Sequence, residues 1–98
     1  GHTHWPVIFQ AAADGGECAK LWAPESVPIR LDDSRHIINP GAVGQPRDGD
    51  PRASYMLFDT EEMIFEYRRV SYAIAETQEK IRAAGLPRSN SMRLALGW

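Results

Sequence analysis

The alternation of apolar and polar residues divides the chain into a first part that favours short strands and a last third that favours helix. In six segments of the first part, apolar residues either alternate with polar ones or follow one another without interruption. Glycine, proline, asparagine or aspartate bounds these segments, which is typical of strands joined by turns. These predicted strands span residues 5–11, 17–22, 27–31, 35–39, 53–59 and 63–70, and the last two form an antiparallel pair around a turn at 59–62. Residues 45–51 contain two prolines and a glycine and are predicted to form a loop.

The last predicted strand has two distinct faces, because successive side chains of a strand point to opposite sides. One face carries Met63, Phe65, Tyr67 and Arg69, and the other carries Ile64, Glu66, Arg68 and Val70. We interpret the aromatic side chains as packing residues of a sheet.

From Ser71 onward the spacing of apolar residues changes to that of a helix. Residues 73–84 are rich in helix formers, with Ile74, either Thr77 or Gln78, and Ile81 near one stripe. Gly85 and Pro87 then predict the end of this helix, and residues 92–96 predict one more short helical turn. No repeat and no second domain is visible.

Composition narrows the class of protein. The chain has 98 residues, 43% of them hydrophobic and 24% charged, which is ordinary for one small globular domain. A net charge of −2 gives no indication of a nucleic-acid or anionic-membrane partner, and no apolar run approaches the roughly 20 residues of a membrane span. The single cysteine, Cys18, excludes an internal disulfide and is predicted to be a buried or half-buried apolar residue. We expect a cytoplasmic location.

The candidate chemistry lies in the segment Gly1-His2-Thr3-His4-Trp5-Pro6. Two histidines separated by one residue point to the same side if the chain is extended, and imidazole is a common ligand of zinc, manganese and iron. Pro6 and the apolar residues after it indicate instead a strand that leaves a turn carrying the histidines. Two ligands are fewer than a catalytic metal needs, so further ligands must come from elsewhere. A Gly-His start is also what a cleaved expression tag leaves behind.

Several stretches together resemble the C-terminal part of calcineurin-like metallophosphoesterases, of the bacterial YfcE-like phosphodiesterase type. The resemblance covers nearly the whole chain in order: Gly1-His2-Thr3-His4-Trp5-Pro6, the segments 39–47 and 48–55, the strand-to-helix junction 68–72 and the helix end 81–87. It implies a mostly antiparallel α+β fold, the C-terminal part of a four-layer αββα sandwich that ends in a helix.

The resemblance also implies a chemistry. Such enzymes use two divalent metal ions (manganese, iron or zinc) and hydrolyse a phosphomonoester or phosphodiester with a hydroxide that bridges the metals. In the family pattern the first histidine of G-H-x-H binds one metal and the second binds the other, which corresponds to His2 and His4. Asn39-Pro40-Gly41 matches the family's Asn-Pro-Gly segment, with Ala42 where serine is commoner, and Asn39 and Gly41 are expected to support the site loop.

The family's remaining metal motifs have no counterpart among these residues, and His36 lies after the G-H-x-H motif rather than before it. We therefore expect residues 1–98 to be the C-terminal segment of one domain that needs its N-terminal half, and to be inactive alone. Two alternatives stay open: a small β-rich module that binds a metal without catalysis, and an oligomerisation module, with a homo-oligomer formed through the strand at 63–70 and the last helix.

Two further groups of residues have competing interpretations. Arg47 and Arg52 flank the predicted loop and could bind a substrate phosphate, since guanidinium groups bind such oxyanions bidentately, or they could form ion pairs with Asp48 or Asp50. The aromatic residues Trp5, Trp22 and Tyr55 are interpreted as core or interface residues rather than base-stacking residues.

Overall fold

The computed structural model describes all residues from 1 to 98 and contains six strands followed by two helices. The elements are β1 (Pro6–Gln10), β2 (Ala19–Leu21), β3 (Ile29–Arg30), β4 (His36–Pro40), β5 (Ala53–Asp59), β6 (Ile64–Val70), α1 (Ile74–Ala83) and α2 (Arg88–Leu96). The predicted α+β class is confirmed, as are the six strand positions and the loop that follows β4.

The strands form two three-stranded antiparallel sheets. Sheet 1 has the order β2-β1-β4, with Ile8 opposite Leu21 on one side and Ile38 on the other. Sheet 2 has the order β3-β6-β5, and β5 and β6 form the predicted hairpin, in which Met56 pairs with Tyr67. Strand β6 is therefore the central strand of sheet 2 and has no free edge.

The core lies between the two sheets. Ile8 of sheet 1 packs with Phe65 and Tyr67 of sheet 2, and these two aromatic rings meet edge to face with centroids 5.6 Å apart. The predicted packing role of these two aromatic side chains is confirmed, since both rings are buried. Met63 is an exception: it lies before β6 with a φ of 53° and is exposed.

The helices form a hairpin whose main contacts are with each other. Gln78 of α1 donates a hydrogen bond to the carbonyl of Ser91 at 2.7 Å, and the buried Ser91 hydroxyl donates to the carbonyl of Arg88 at 2.9 Å. Helix α2 begins at Arg88, four residues before the predicted turn, because packing against α1 stabilises a polar first turn that its own sequence favours only weakly. Neither helix is long and apolar enough to cross a bilayer.

The prediction that Cys18 is buried is wrong: its side chain is exposed. Cys18 directly precedes β2, and all three residues of that edge strand are exposed. Trp5, Trp22 and Tyr55, predicted to be core or interface residues, are exposed within this chain and do not belong to its core.

Candidate metal centre

The His-Thr-His segment forms a tight turn before β1. The backbone amide of His4 donates a hydrogen bond to the carbonyl of Gly1 at 3.1 Å, and His4 has a φ of 62°. The extended arrangement of the two histidines is therefore wrong, whereas the turn in front of a strand is confirmed. A positive φ is uncommon outside glycine, although histidine adopts it more readily than most residues. Such a conformation persists where surrounding contacts fix it.

The contact that fixes His4 comes from the loop after β4. The Nδ1 atom of His4 lies 2.6 Å from the carbonyl oxygen of Gln45. A carbonyl only accepts, so Nδ1 carries the proton, and a neutral ring then has its free electron pair on Nε2. Metal-binding histidines usually make this kind of bond with the ring nitrogen that does not face the metal. The local geometry of His4 therefore fits a metal ligand.

Asn39 joins the histidine turn to the same loop. Its Oδ1 accepts hydrogen bonds from the nitrogen of Gly1 at 2.8 Å and from the amide of Gly41 at 3.0 Å. Its Nδ2 donates to the Thr3 hydroxyl at 2.8 Å. One amide side chain thus connects the end of β4 to both segments of the site.

Gly41 occupies a position that a side chain would not fit. Its φ is 85°, and a Cβ atom placed there would lie 2.7 Å from the Ser54 hydroxyl oxygen. Ser54 is buried at the start of β5 and donates a hydrogen bond to the carbonyl of Pro40 at 2.7 Å. The close approach of the loop to β5 therefore requires glycine.

These contacts form one wall of a cleft of about 630 Å³. Gly1, His4, the loop 40–45 and the β5 residues Ser54, Tyr55 and Met56 line it. His2 is exposed and is not part of this lining. The structure thus brings His4, Gly41 and the loop together at one cleft, with Asn39 behind them.

The two candidate phosphate-binding arginines lie outside this cleft lining. Arg52 pairs with Asp50 at 2.6 Å and with Glu25 at 2.8 Å. Its hydrogen bonds hold the pKa of Asp50 below the usual value, and the pKa of Arg52 is raised in return. The ion-pair interpretation therefore describes Arg52, whereas Arg47 is exposed and donates only to the side-chain oxygen of Gln45 at 3.0 Å.

A second ion pair, which the sequence did not indicate, lies beneath the loop. Arg69 of β6 pairs with Asp48, and only 9% and 14% of their side-chain surfaces are exposed. Because a charge is costly to bury alone, each partner requires the other. The sequence placed Arg69 on the same face of β6 as Phe65 and Tyr67, but it gave no sign that Asp48 is the partner.

No group of three or more histidine, cysteine, aspartate or glutamate side chains is positioned to bind one metal ion. A catalytic metal site has at least three protein ligands. His2 and His4 can therefore provide only part of such a site.

Comparison with known proteins gives the chain a context. No protein-family model matches it. It is 39% identical over 97 residues to an uncharacterized protein of Methanocaldococcus jannaschii, covering 99% of this chain and 37% of that protein. It is also similar to the crystal structure of a metallophosphoesterase from Sphaerobacter thermophilus, with a TM-score of 0.87 and 44% identity over 99% of this chain and 40% of that one. The chain thus spans about two-fifths of the length of each, and its fold matches that part of a metallophosphoesterase.

Proposed function

We propose that these residues form the C-terminal part of a metal-dependent phosphoesterase domain of the calcineurin-like type. The observation that carries the proposal is the similarity to the Sphaerobacter thermophilus metallophosphoesterase, which extends over 99% of this chain at 44% identity. Identity at this level over a continuous fold supports a shared chemistry more strongly than the fold alone would.

In this proposal His2 and His4 each contribute an imidazole to one metal of a two-metal site. The hydrogen bond from His4 Nδ1 to Gln45 supports the role of His4, because it leaves Nε2 available as a ligand. The remaining ligands would come from residues outside this chain, as expected of a segment that spans about two-fifths of its relatives.

Two divalent cations, when bound, would supply the nucleophile and stabilise negative charge on the phosphoryl oxygens. The residues of this chain hold that arrangement in place. Gln45 fixes the ring plane of His4, and Asn39 ties the histidine turn to the loop. Gly41 lets the loop approach β5, so that the backbone of residues 40–45 forms a rigid side of the cleft.

Arg47 is the better candidate of the two arginines for contact with a substrate phosphate. Arg52 already pairs with two carboxylates, whereas the guanidinium of Arg47 contacts only a neutral amide. Arg47 also lies two residues beyond Gln45, so it can reach the same side of the loop.

The test replaces the histidines in the full-length protein. We expect His2→Ala and His4→Ala each to lose about one bound metal per molecule and to reduce manganese-stimulated phosphoester hydrolysis by at least about a hundredfold, because each removes a direct ligand. Metal content by mass spectrometry and turnover of p-nitrophenyl phosphate and bis-p-nitrophenyl phosphate provide the two measurements.

His36→Gln is the matched control. His36 is the remaining histidine of the chain, and its partners are Asp32 and the carbonyl of Ser34, at the end of β1 farthest from His4. This variant should keep its metal content and activity. Full metal loading and full turnover in both His2→Ala and His4→Ala would contradict the proposed function.

A further inference from the structure

Two exposed tryptophans form an aromatic pair beside the histidine turn. Trp5 and Trp22 are 43% and 55% exposed, and their ring centroids lie 6.0 Å apart with the planes tilted by 57°. Large aromatic side chains that lie together in contact with solvent commonly mark a binding surface. Both rings line a second cleft of about 360 Å³, distinct from the one lined by His4.

One face of this aromatic pair is already covered. The ammonium group of Lys20 lies 4.5 Å from the centroid of the Trp22 ring, in a cation–π contact. This contact orients the Trp22 indole, and 55% of the Trp22 surface stays exposed to solvent. A planar, electron-poor ring is the group that stacks best on an indole held in this way.

The charged residues of the second cleft indicate which part of a ligand enters it. Its lining contains three carboxylates, Glu25, Asp48 and Asp50, and one guanidinium, Arg69. Arg52 adds a second positive charge through its pairs with Glu25 and Asp50. Because carboxylates outnumber guanidinium groups, the cleft disfavours a phosphate and favours groups that donate hydrogen bonds, such as sugar hydroxyls and exocyclic amines.

The charged floor of the cleft is preorganised. The side chain of Arg69 is 9% exposed and pairs with Asp48, and its Nε lies 3.9 Å from a carboxylate oxygen of Asp50. Carboxylates held in this way keep their position without a ligand, so less ordering is needed when a ligand binds.

The two clefts are neighbours. Trp5 follows His4 directly in the chain, and Ser54 lines both clefts. The two clefts therefore adjoin at Ser54 and at the junction of His4 with Trp5.

We propose that Trp5 and Trp22 form the wall against which the base of a nucleoside phosphoester substrate stacks, with the carboxylates of Glu25 and Asp50 facing its sugar. This inference rests on the proposed function, because it assumes a reacting phosphate near His2 and His4. It narrows the substrate class to phosphoesters of nucleosides.

The experiment compares nucleoside substrates with substrates that lack a base, using the manganese-loaded full-length protein. The pairs are adenosine 5′-monophosphate with ribose 5-phosphate, and thymidine 5′-p-nitrophenyl phosphate with methyl p-nitrophenyl phosphate. We expect kcat/KM to favour the nucleoside member of at least one pair by about 10- to 100-fold, the range expected for one stacked base. In Trp22→Ala this preference should fall at least about tenfold.

Trp98→Ala is the matched control, since Trp98 is also an exposed tryptophan but lies outside both clefts. It should retain the full preference of the unchanged protein. Trp22→Phe, which keeps a smaller aromatic ring, should recover part of the preference, and it replaces Trp22→Ala if that variant does not fold.

A second measurement does not depend on catalysis. Adenosine should quench the tryptophan fluorescence of the metal-free full-length protein saturably, and Trp22→Ala should remove this quenching while Trp98→Ala keeps it. Ribose 5-phosphate should not compete.

The possible failures are distinguishable. Absence of any metal-dependent hydrolysis would overturn the proposed function. Hydrolysis without a preference for the nucleoside member of either pair, a stronger preference for sugar phosphates, or a preference unchanged in both Trp22 variants would overturn the stacking wall alone.

Discussion

Gly41 combines two constraints at a single residue: a φ of 85° and a close approach to Ser54. We expect Gly41→Ala to lower the free energy of unfolding of the full-length protein by about 2 kcal/mol or more. A left-handed backbone costs an L-residue about 1–2 kcal/mol, and the added methyl group must also displace the buried Ser54 side chain. Chemical denaturation with urea measures this change.

Gly44→Ala is the control in the same loop, because no atom lies within 4 Å of a Cβ built at Gly44 and its φ is not positive. At Gly44 the added methyl group should change the free energy of unfolding by less than about 1 kcal/mol. If its only effect is to restrict the backbone of the unfolded chain, the change should be stabilising. Equal destabilisation by both substitutions would show that the loop tolerates no side chain for some other reason.

His4 shows what the sequence can and cannot predict about a single residue. Pro6 and the apolar residues after it were enough to predict a turn before a strand. The positive φ of His4 and its bond to the Gln45 carbonyl depend on a loop about forty residues away, which no local pattern encodes. The ion pair of Arg69 and Asp48 was missed for the same reason, because the partners meet only when β6 and the loop are both in place.

Tyr67 connects the two sheets. From the centre of sheet 2 its hydroxyl donates to the carbonyl of Asn39 at 2.8 Å and lies 3.3 Å from that of Val7, both in sheet 1. Burial raises the pKa of Tyr67 to about 12. Since an unfolded tyrosine has a pKa of about 10, the unfolded state loses this proton first. Stability should therefore be fully present below pH 10 and fall as the pH rises towards 12, by about 2–3 kcal/mol.

Tyr67→Phe should remove the alkaline loss of stability that is due to this hydroxyl, although the variant starts about 1 kcal/mol less stable because the carbonyl of Asn39 loses its donor. Urea unfolding of the full-length protein at pH 9 and at pH 11.5 gives the comparison. Tyr55→Phe removes a half-exposed hydroxyl from the outer face of sheet 2 and should behave like the unchanged protein. If the unchanged protein and Tyr67→Phe lost the same amount of stability between pH 9 and pH 11.5, Tyr67 would not be the cause of that loss.

At the level of elements, local sequence patterns predicted the position of every strand but not which strands pair with each other. The hairpin of β5 and β6 could be predicted because its strands are adjacent and alternate strongly. The pairing of the two-residue β3 with β6 could not, since it joins residues more than thirty positions apart through only two register pairs. Helix α2 was predicted too short because its first turn depends on contacts with α1, such as that of Gln78 with Ser91.

The whole molecule is elongated and buries little of its own apolar surface. Its radius of gyration is 16.1 Å, whereas a compact domain of this length has about 13 Å. Large apolar side chains stay exposed on both sheets, in the loop after β4 and between the two helices; among them are Ile37, Val43, Leu57, Val70 and Leu86. Exposed apolar side chains that lie together commonly mark a surface that another segment or a partner covers.

This shape predicts how the 98 residues behave when they are produced alone. With a small core between two three-stranded sheets, we expect a broad thermal transition, binding of a hydrophobic dye and association that increases with concentration, because buried apolar area is the main source of cooperative stability. In the proposed complete domain, additional residues would cover exposed apolar side chains such as Ile37 and Leu57, so the full-length protein should instead show a sharp transition and bind little dye. Circular dichroism melts and size-exclusion chromatography of both proteins, with and without manganese, make the comparison.

A sharp, concentration-independent melt of the isolated chain would favour the alternative of a small self-sufficient binding module. A metal-dependent rise in its melting temperature would strengthen that alternative, because it would mean that His2 and His4 bind an ion without ligands from the rest of a phosphoesterase domain.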